Sequence, residues 1–160
     1  MITAERLREL VHYCPETGIF THLENNRRKK AGMTAGSLRK DGYIYIMIGG
    51  VRALAHRFAW LYMTGSWPIN EIDHIDGNKI NNSFSNLRDV DRSVNTQNQN
   101  RAKTTNKLGL LGVSELPSGK FKACITLRGK RTYLGVFNNP HEAHQVYLKA
   151  KRDLHEGCTI

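Results

Sequence analysis

Between Asn95 and Leu108 the chain reads NTQNQNRAKTTNKL, fourteen residues in which Leu108 is the only large apolar side chain. A polar, basic run of this length cannot be threaded through a core, so it reads as a connector, and the sequence on either side must bury its own apolar surface. A chain of 160 residues can do so, with one sizeable core or two small ones. Its 39% hydrophobic and 24% charged residues are the makeup of a globular protein, not of a disordered one. The expected division is residues 1–100, a basic linker 101–107, and residues 108–160. Arg101, Lys103 and Lys107 give the linker a charge that can follow a polyanion.

The whole chain has the same bias. Its 24 Lys and Arg against 14 Asp and Glu leave a formal charge of +10, the footprint of a polyanionic partner, though a ribosomal-type or merely basic protein shares it. No long apolar run is present and MITAERLREL is charged from its fifth residue, so neither leader nor membrane span is expected and the setting read is cytoplasmic. Cys14, Cys124 and Cys158 are far apart and lack the paired spacing of a structural zinc site, so they read as reduced thiols.

Thr3 can cap a helix with Leu7, Leu10 and Val11 on one face, ending before Pro15, and Pro15 to Gly18 is a turn into a strand at Ile19 to Leu23. From Asn25 to Lys40 the bases Arg27, Arg28, Lys29, Lys30, Arg39 and Lys40 stand without one acid, which favours contact with phosphates. Tyr43 to Ile48 is β-prone, with Gly49-Gly50 as a hairpin signal before Val51. Ala55 to Met63 follows as a helix that Gly65 can stop. His56 on this helix reads as a packed or surface residue, outside any site and able at most to brace the next segment.

That next segment, Glu71 to Asn100, carries the chemistry. Five acids (Glu71, Asp73, Asp76, Asp89, Asp91) against two bases (Lys79, Arg88) give Glu71 to Asp91 a net charge of −3, so this part of a basic chain should attract a cation. Asp73 supplies a hard anionic oxygen and His74 a base that titrates near neutrality, while Asn86 and Asn95 supply amide oxygens. The pattern suits one divalent metal and one activated water. A strand at Glu71 to Ile75, a turn at Asp76 to Asn78, a strand at Leu87 to Val90 and a helix at Ser93 to Asn100 would return Asn95 towards Asp73. An EF-hand calcium loop is excluded, because Gly77 is fifth and Phe84 twelfth from Asp73 where that loop needs glycine sixth and glutamate twelfth.

After the connector, Lys120 to Leu127 alternates, with Phe121, Ala123, Ile125 and Leu127 on one face. Gly112 to Leu116 and Arg131 to Phe137 are its expected neighbours, and a helix at His141 to His155 can cover the apolar face with Ala143, Val146, Tyr147 and Ala150.

Asp73-His74, Asn86 within SNLR, and Asn95 resemble the active-site signature of HNH nucleases. The form with Asn in the last place is similar to that of phage homing endonucleases encoded in group I introns, and the likeness extends from Gly42 to Asn100. It implies a ββα-metal finger in an α+β chain with an N-terminal hairpin and helix. It also implies His74 as general base, Asp73 and Asn95 as ligands of one magnesium or manganese ion, and Asn86 as the residue that holds the loop and orients the histidine. Asp76 is the substitute ligand should Asn95 not serve.

The segment LGVSELPSGKFKACITLRGKRTYLGVFNNPHEAHQVYLKA resembles the APETALA2-type DNA-binding domain, three antiparallel strands packed on one helix. The framework agrees, but Ser114, Glu115 and Thr126 stand where plant members carry arginines, so base specificity is not carried over. Lys120, Lys122, Arg128, Lys130 and Arg131 are the contact candidates. The resulting expectation is a metal-dependent, site-specific endonuclease that nicks one strand of double-stranded DNA as a monomer on an asymmetric site. A regulator with an inactive core and a structure-directed or RNA-cleaving nuclease are the alternatives.

Overall fold

The computed structural model describes residues 1–25, 29–99 and 102–159. In chain order these form α1 (Ala4–Leu10), β1 (Val11–Cys14), β2 (Ile19–His22), β3 (Ser37–Leu38), β4 (Ile44–Ile48), β5 (Val51–Leu54), α2 (Ala55–Thr64), β6 (Glu71–His74), a 3₁₀ turn (Phe84–Asn86) and β7 (Leu87–Val90). Then come α3 (Arg92–Gln97), β8 (Val113–Glu115), β9 (Phe121–Leu127), β10 (Lys130–Phe137) and α4 (Pro140–Leu154). The fold is mixed α and β, and every sheet is small and antiparallel. No described helix is long and apolar enough to cross a membrane.

Internal contacts divide the chain into two compact units, Met1–Asp91 and Arg92–Ile160. The change of composition had placed the division at residues 101–107. The physical reason for the shift lies within the second unit, where residues 97–99 are fastened to the chain's last turns. Gly157 N–H donates to Gln97 Oε1 at 3.4 Å, Thr159 Oγ1 to Asn98 Oδ1 at 2.6 Å, and the Lys151 ammonium to the Gln99 carbonyl. Polar residues that look like free linker thus have partners more than fifty positions away.

In the first unit the Thr3 hydroxyl accepts from Arg6 N–H, capping α1, and α1 ends at Leu10 instead of running on towards Pro15. Val11 falls at helical spacing but is β-branched, and it pairs with His22 in a two-stranded sheet. Ile48 and Val51 are partners across Gly49 and Gly50, whose φ values of 57° and 77° are those a tight two-residue hairpin demands. β3 adds to this hairpin as an edge strand from within the basic stretch. Leu7, Val11, Tyr13, Phe20, Ile46, Phe58, Leu61, Ile72 and Leu87 share one buried cluster, so α1, both hairpins, α2 and the β6–β7 pair are built on a single core.

In the second unit the sheet order is β10-β9-β8, and α4 packs on it through a core of Val113, Ala123 and Ala143 with Leu134 and Phe137 against them. Asn139 caps α4 by accepting from His141 N–H at 2.8 Å, and Pro140 opens the first turn.

Candidate active site

β6 and β7 hold the site. Their register sets Asp73 opposite Arg88 and His74 opposite Leu87, so the acid and base expected from the sequence stand side by side on one strand and lean to opposite faces. Ile72, Asp73 and His74 are all buried. Arg88 Nε and Nη2 both donate to Asp73 Oδ2, at 2.9 and 2.7 Å, a paired charge that fixes the carboxylate's orientation.

The His74 ring is only 4% exposed, and its Nε2 lies 3.2 Å from Asn82 Oδ1. Asn82 itself is 1% exposed and held on other sides: its Nδ2 donates to the Ile80 carbonyl at 3.1 Å, and its own carbonyl accepts from the Tyr13 hydroxyl at 2.7 Å. With the amide nitrogen spent on Ile80, the oxygen faces the histidine and can only accept. His74 Nε2 is therefore the protonated nitrogen, and Nδ1 carries the basic lone pair. Burial lowers the His74 pKa below the ordinary value, and Lys79 pushes the same way, while the Asn82 bond and the charges of Asp76 and Asp73 oppose them. The net result is a neutral imidazole at neutral pH.

The loop between β6 and β7 is tied by amide side chains. Asn86 Oδ1 accepts from Asp76 N–H at 3.0 Å, and Asn86 Nδ2 donates to Asp76 Oδ1 and to the Asn81 carbonyl, both at 2.9 Å. Asp76 Oδ2 accepts from Asn81 Nδ2 at 2.7 Å. Burial alone would raise the Asp76 carboxyl, but the bonds from Asn81, the Asn78 amide and Asn86 outweigh it and hold it below the usual value. Both Asp76 oxygens thus serve the loop. Asn86 braces that loop, while the side chain set against His74 is Asn82.

His56, set aside on sequence grounds, lies against His74. It is 5% exposed, and its ring meets that of His74 edge to face, with centroids 4.9 Å apart and planes at 87°. Burial, then the charges of His74 and Arg57, push its pKa down to about 3. Tyr43 closes the group, 5.5 Å from His56 and 6.1 Å from His74, and the Lys79 ammonium sits 4.4 Å above the Tyr43 ring. One signal was available in the sequence: the apolar run from Phe58 to Met63 goes most of the way round α2, which leaves little of its circumference for solvent.

Asn95 lies on α3, in the second unit. Among the described residues no three His, Cys, Asp or Glu side chains converge as a metal-binding group. The Asp73 carboxylate is a hard oxygen donor, of the kind that suits a divalent metal completed by water and phosphate.

Of the basic candidates, Arg27, Arg28 and Arg101 lie outside the described residues. Lys29 donates to the Met47 carbonyl at 3.0 Å, and Lys30, Lys103 and Lys107 are exposed. On β4, Tyr45 carries the guanidinium of Arg39 at 4.3 Å and of Arg52 at 5.3 Å, a basic cluster of which Arg52 was not singled out from sequence. In the second unit Ala123 and Ile125 are buried, so Lys122 and its alternates on β9 take the other face, which Arg131, paired with Thr126, shares. Lys120, Arg128 and Lys130 are exposed near the strand ends, and Arg128 pairs with Glu156 at 3.3 Å.

Residues 53–97 match the family model described as HNH endonuclease. That span holds His56, Asp73, His74, Asn82, Asn86 and Asn95. The chain is also similar to a protein of Acanthamoeba polyphaga mimivirus named uncharacterized HNH endonuclease L560, with 33% identity over 112 residues, 69% of this chain and 57% of that protein. The chain thus spans little more than half of that relative's length. A solved structure described as DNA binding and cleavage by the HNH homing endonuclease I-HmuI is similar over 56% of this chain and 51% of its own, at 30% identity and a TM-score of 0.43. The family match and the viral relative support an endonuclease, and the segment 53–97, with the site around His74, is similar to the HNH endonuclease family.

Proposed function

We propose that this protein is a metal-dependent endonuclease of the homing type that hydrolyses one strand of duplex DNA at a defined site. The observation that carries the reading is the buried His74, whose Nε2 lies 3.2 Å from Asn82 Oδ1 and which is adjacent in sequence to a carboxylate fixed by Arg88. HNH nucleases generally use a divalent metal, and here Asp73 is the residue of the β6–β7 site that would hold it. When bound, a magnesium or manganese ion supplies Lewis acidity to the scissile phosphate and its leaving oxygen.

The chain's own residues do the rest. His74 Nδ1 takes the proton of the attacking water, and burial keeps that nitrogen unprotonated near neutral pH. Asn82 holds the tautomer, Asn86 and Asp76 keep the loop that carries Asn82 in shape, and Arg88 keeps Asp73 aimed. Residues 108–160, a three-stranded sheet on one helix, serve in this reading as an APETALA2-like targeting domain, with Lys120, Lys122, Arg128, Lys130 and Arg131 against the DNA. The Arg39–Tyr45–Arg52 cluster and Lys29 and Lys30 add contacts from the first unit, and Lys103 and Lys107 from the connector.

One constellation of this kind aligns one water and one phosphate at a time, and two dissimilar DNA-binding regions in one chain suit an asymmetric site bound by a monomer. The test is a supercoiled plasmid library carrying candidate sites, incubated with limiting protein and magnesium or chelator. Open circles accumulating with magnesium, and none with chelator, is the expected result. Linear product appearing first, at a rate second-order in protein, would contradict nicking by a monomer.

A further inference from the structure

We infer that His56 is a positioning residue for the reaction: its buried ring, set edge to face against His74, fixes the plane of the general base and so the direction in which Nδ1 points. The inference rests on the reading of His74 as that base.

The contact between His74 Nε2 and Asn82 Oδ1 restrains one corner of the imidazole. The terminal torsion of a histidine is soft, so rings packed against it bear on the plane it adopts. His56 meets the His74 ring edge to face at 4.9 Å and 87°, and Tyr43 lies tilted at 44° on the same ring. A perpendicular aromatic contact is the favoured geometry for such a pair and resists rotation of either ring.

His56 is itself immobilised. It belongs to the second position of α2, whose Ala55, Phe58, Ala59 and Leu61 are all in the core, so the helix cannot withdraw without opening that core. Burial keeps the His56 ring neutral, and it therefore steadies the base without setting a positive charge beside it. A flat ring and not an acid-base group is what the arrangement requires at this position.

Two substitutions separate shape from chemistry. His56→Phe keeps a flat ring, and His56→Leu fills comparable volume without one. In the full-length protein, with magnesium and saturating DNA, His56→Phe is expected to cleave within about 3-fold of wild type and His56→Leu to lose about 10- to 100-fold in single-turnover rate, with DNA affinity unchanged in both. The ¹⁵N spectrum of the His74 ring supplies a readout independent of cleavage. It is expected to show the Nε2-protonated tautomer in wild type and His56→Phe, and averaged nitrogen shifts in His56→Leu. A His56→Leu enzyme with wild-type rate and an unaltered His74 spectrum would overturn the inference. So would a His56→Phe enzyme as slow as His56→Leu, which would mean that the imidazole itself acts. A wild-type protein that cleaves no DNA would instead overturn the endonuclease reading, and the spectra would still judge the positioning role.

Discussion

In its proposed role as the base that takes a proton from water, His74 must present one unprotonated nitrogen in one direction, and the choice of nitrogen is made by an amide. Asn82 can only accept from His74 because its own nitrogen is committed to Ile80. Asn82→Ala is therefore expected to lower the single-turnover rate by about 100-fold with little change in DNA affinity, because it removes the bond that selects the tautomer. Asn82→Asp retains an acceptor but adds a negative charge that favours the imidazolium. It should keep much of the maximal rate and move the acid limb of the pH–rate profile to higher pH; an unmoved limb would mean that residue 82 does not face the base. His56 gives a separate expectation for stability. Its pKa is about 3 in the folded protein against about 6.5 unfolded, so the unfolded chain alone takes up a proton between those values. The contribution of His56 to stability is full above pH 6.5 and falls by about 1 kcal/mol for each unit below it until about pH 3. Denaturant unfolding of wild type and His56→Phe at pH 6.5 and 5 checks this: the wild type should lose more than the variant over that interval, and equal losses would contradict a neutral buried His56.

At the scale of elements, local chemistry was legible and long-range contact was not. The Gly49-Gly50 hairpin, α2 with its stop at Gly65, and the alternating β9 follow from turn residues and periodicity alone, and the structure has them where those signals put them. Val11 misled because its spacing fits a helix while its branching and its partner His22 make it a strand. Asp73 and His74 could be singled out as neighbours in sequence with reactive groups. Asn82 could not be told from Asn78, Asn81 or Asn86 in a loop rich in asparagine, because what distinguishes it is the Tyr13 hydroxyl and the His74 ring, brought from other elements. Gly18 shows how closely those elements fit. It has φ of +71°, and a Cβ there would stand 2.2 Å from the Asn82 backbone carbon. Gly18→Ala is expected to cost about 2 kcal/mol or more in unfolding free energy and to lower cleavage through the displaced Asn82. Unchanged stability and rate would show that the β1–β2 turn does not support the site.

For the molecule as a whole, an excess of basic charge surrounds an acidic segment, and the family match falls on that segment. The connector was legible as polar but not as fastened, since its ties run from Gln97, Asn98 and Gln99 to Gly157, Thr159 and Lys151. A chain ended at residue 107 is therefore expected to keep the core of residues 1–91 while losing both DNA affinity and cleavage, because α3 with Asn95 loses those partners. The same affinity and site preference as the full chain, at equal salt, would contradict a targeting role for residues 108–160. The measurement that bears most directly on the central claim compares wild type with His74→Ala in single-turnover DNA cleavage with magnesium, alongside DNA affinity for each. Removal of a general base is expected to slow cleavage by about 100- to 10,000-fold with affinity nearly unchanged. Cleavage by His74→Ala at close to the wild-type rate would contradict it.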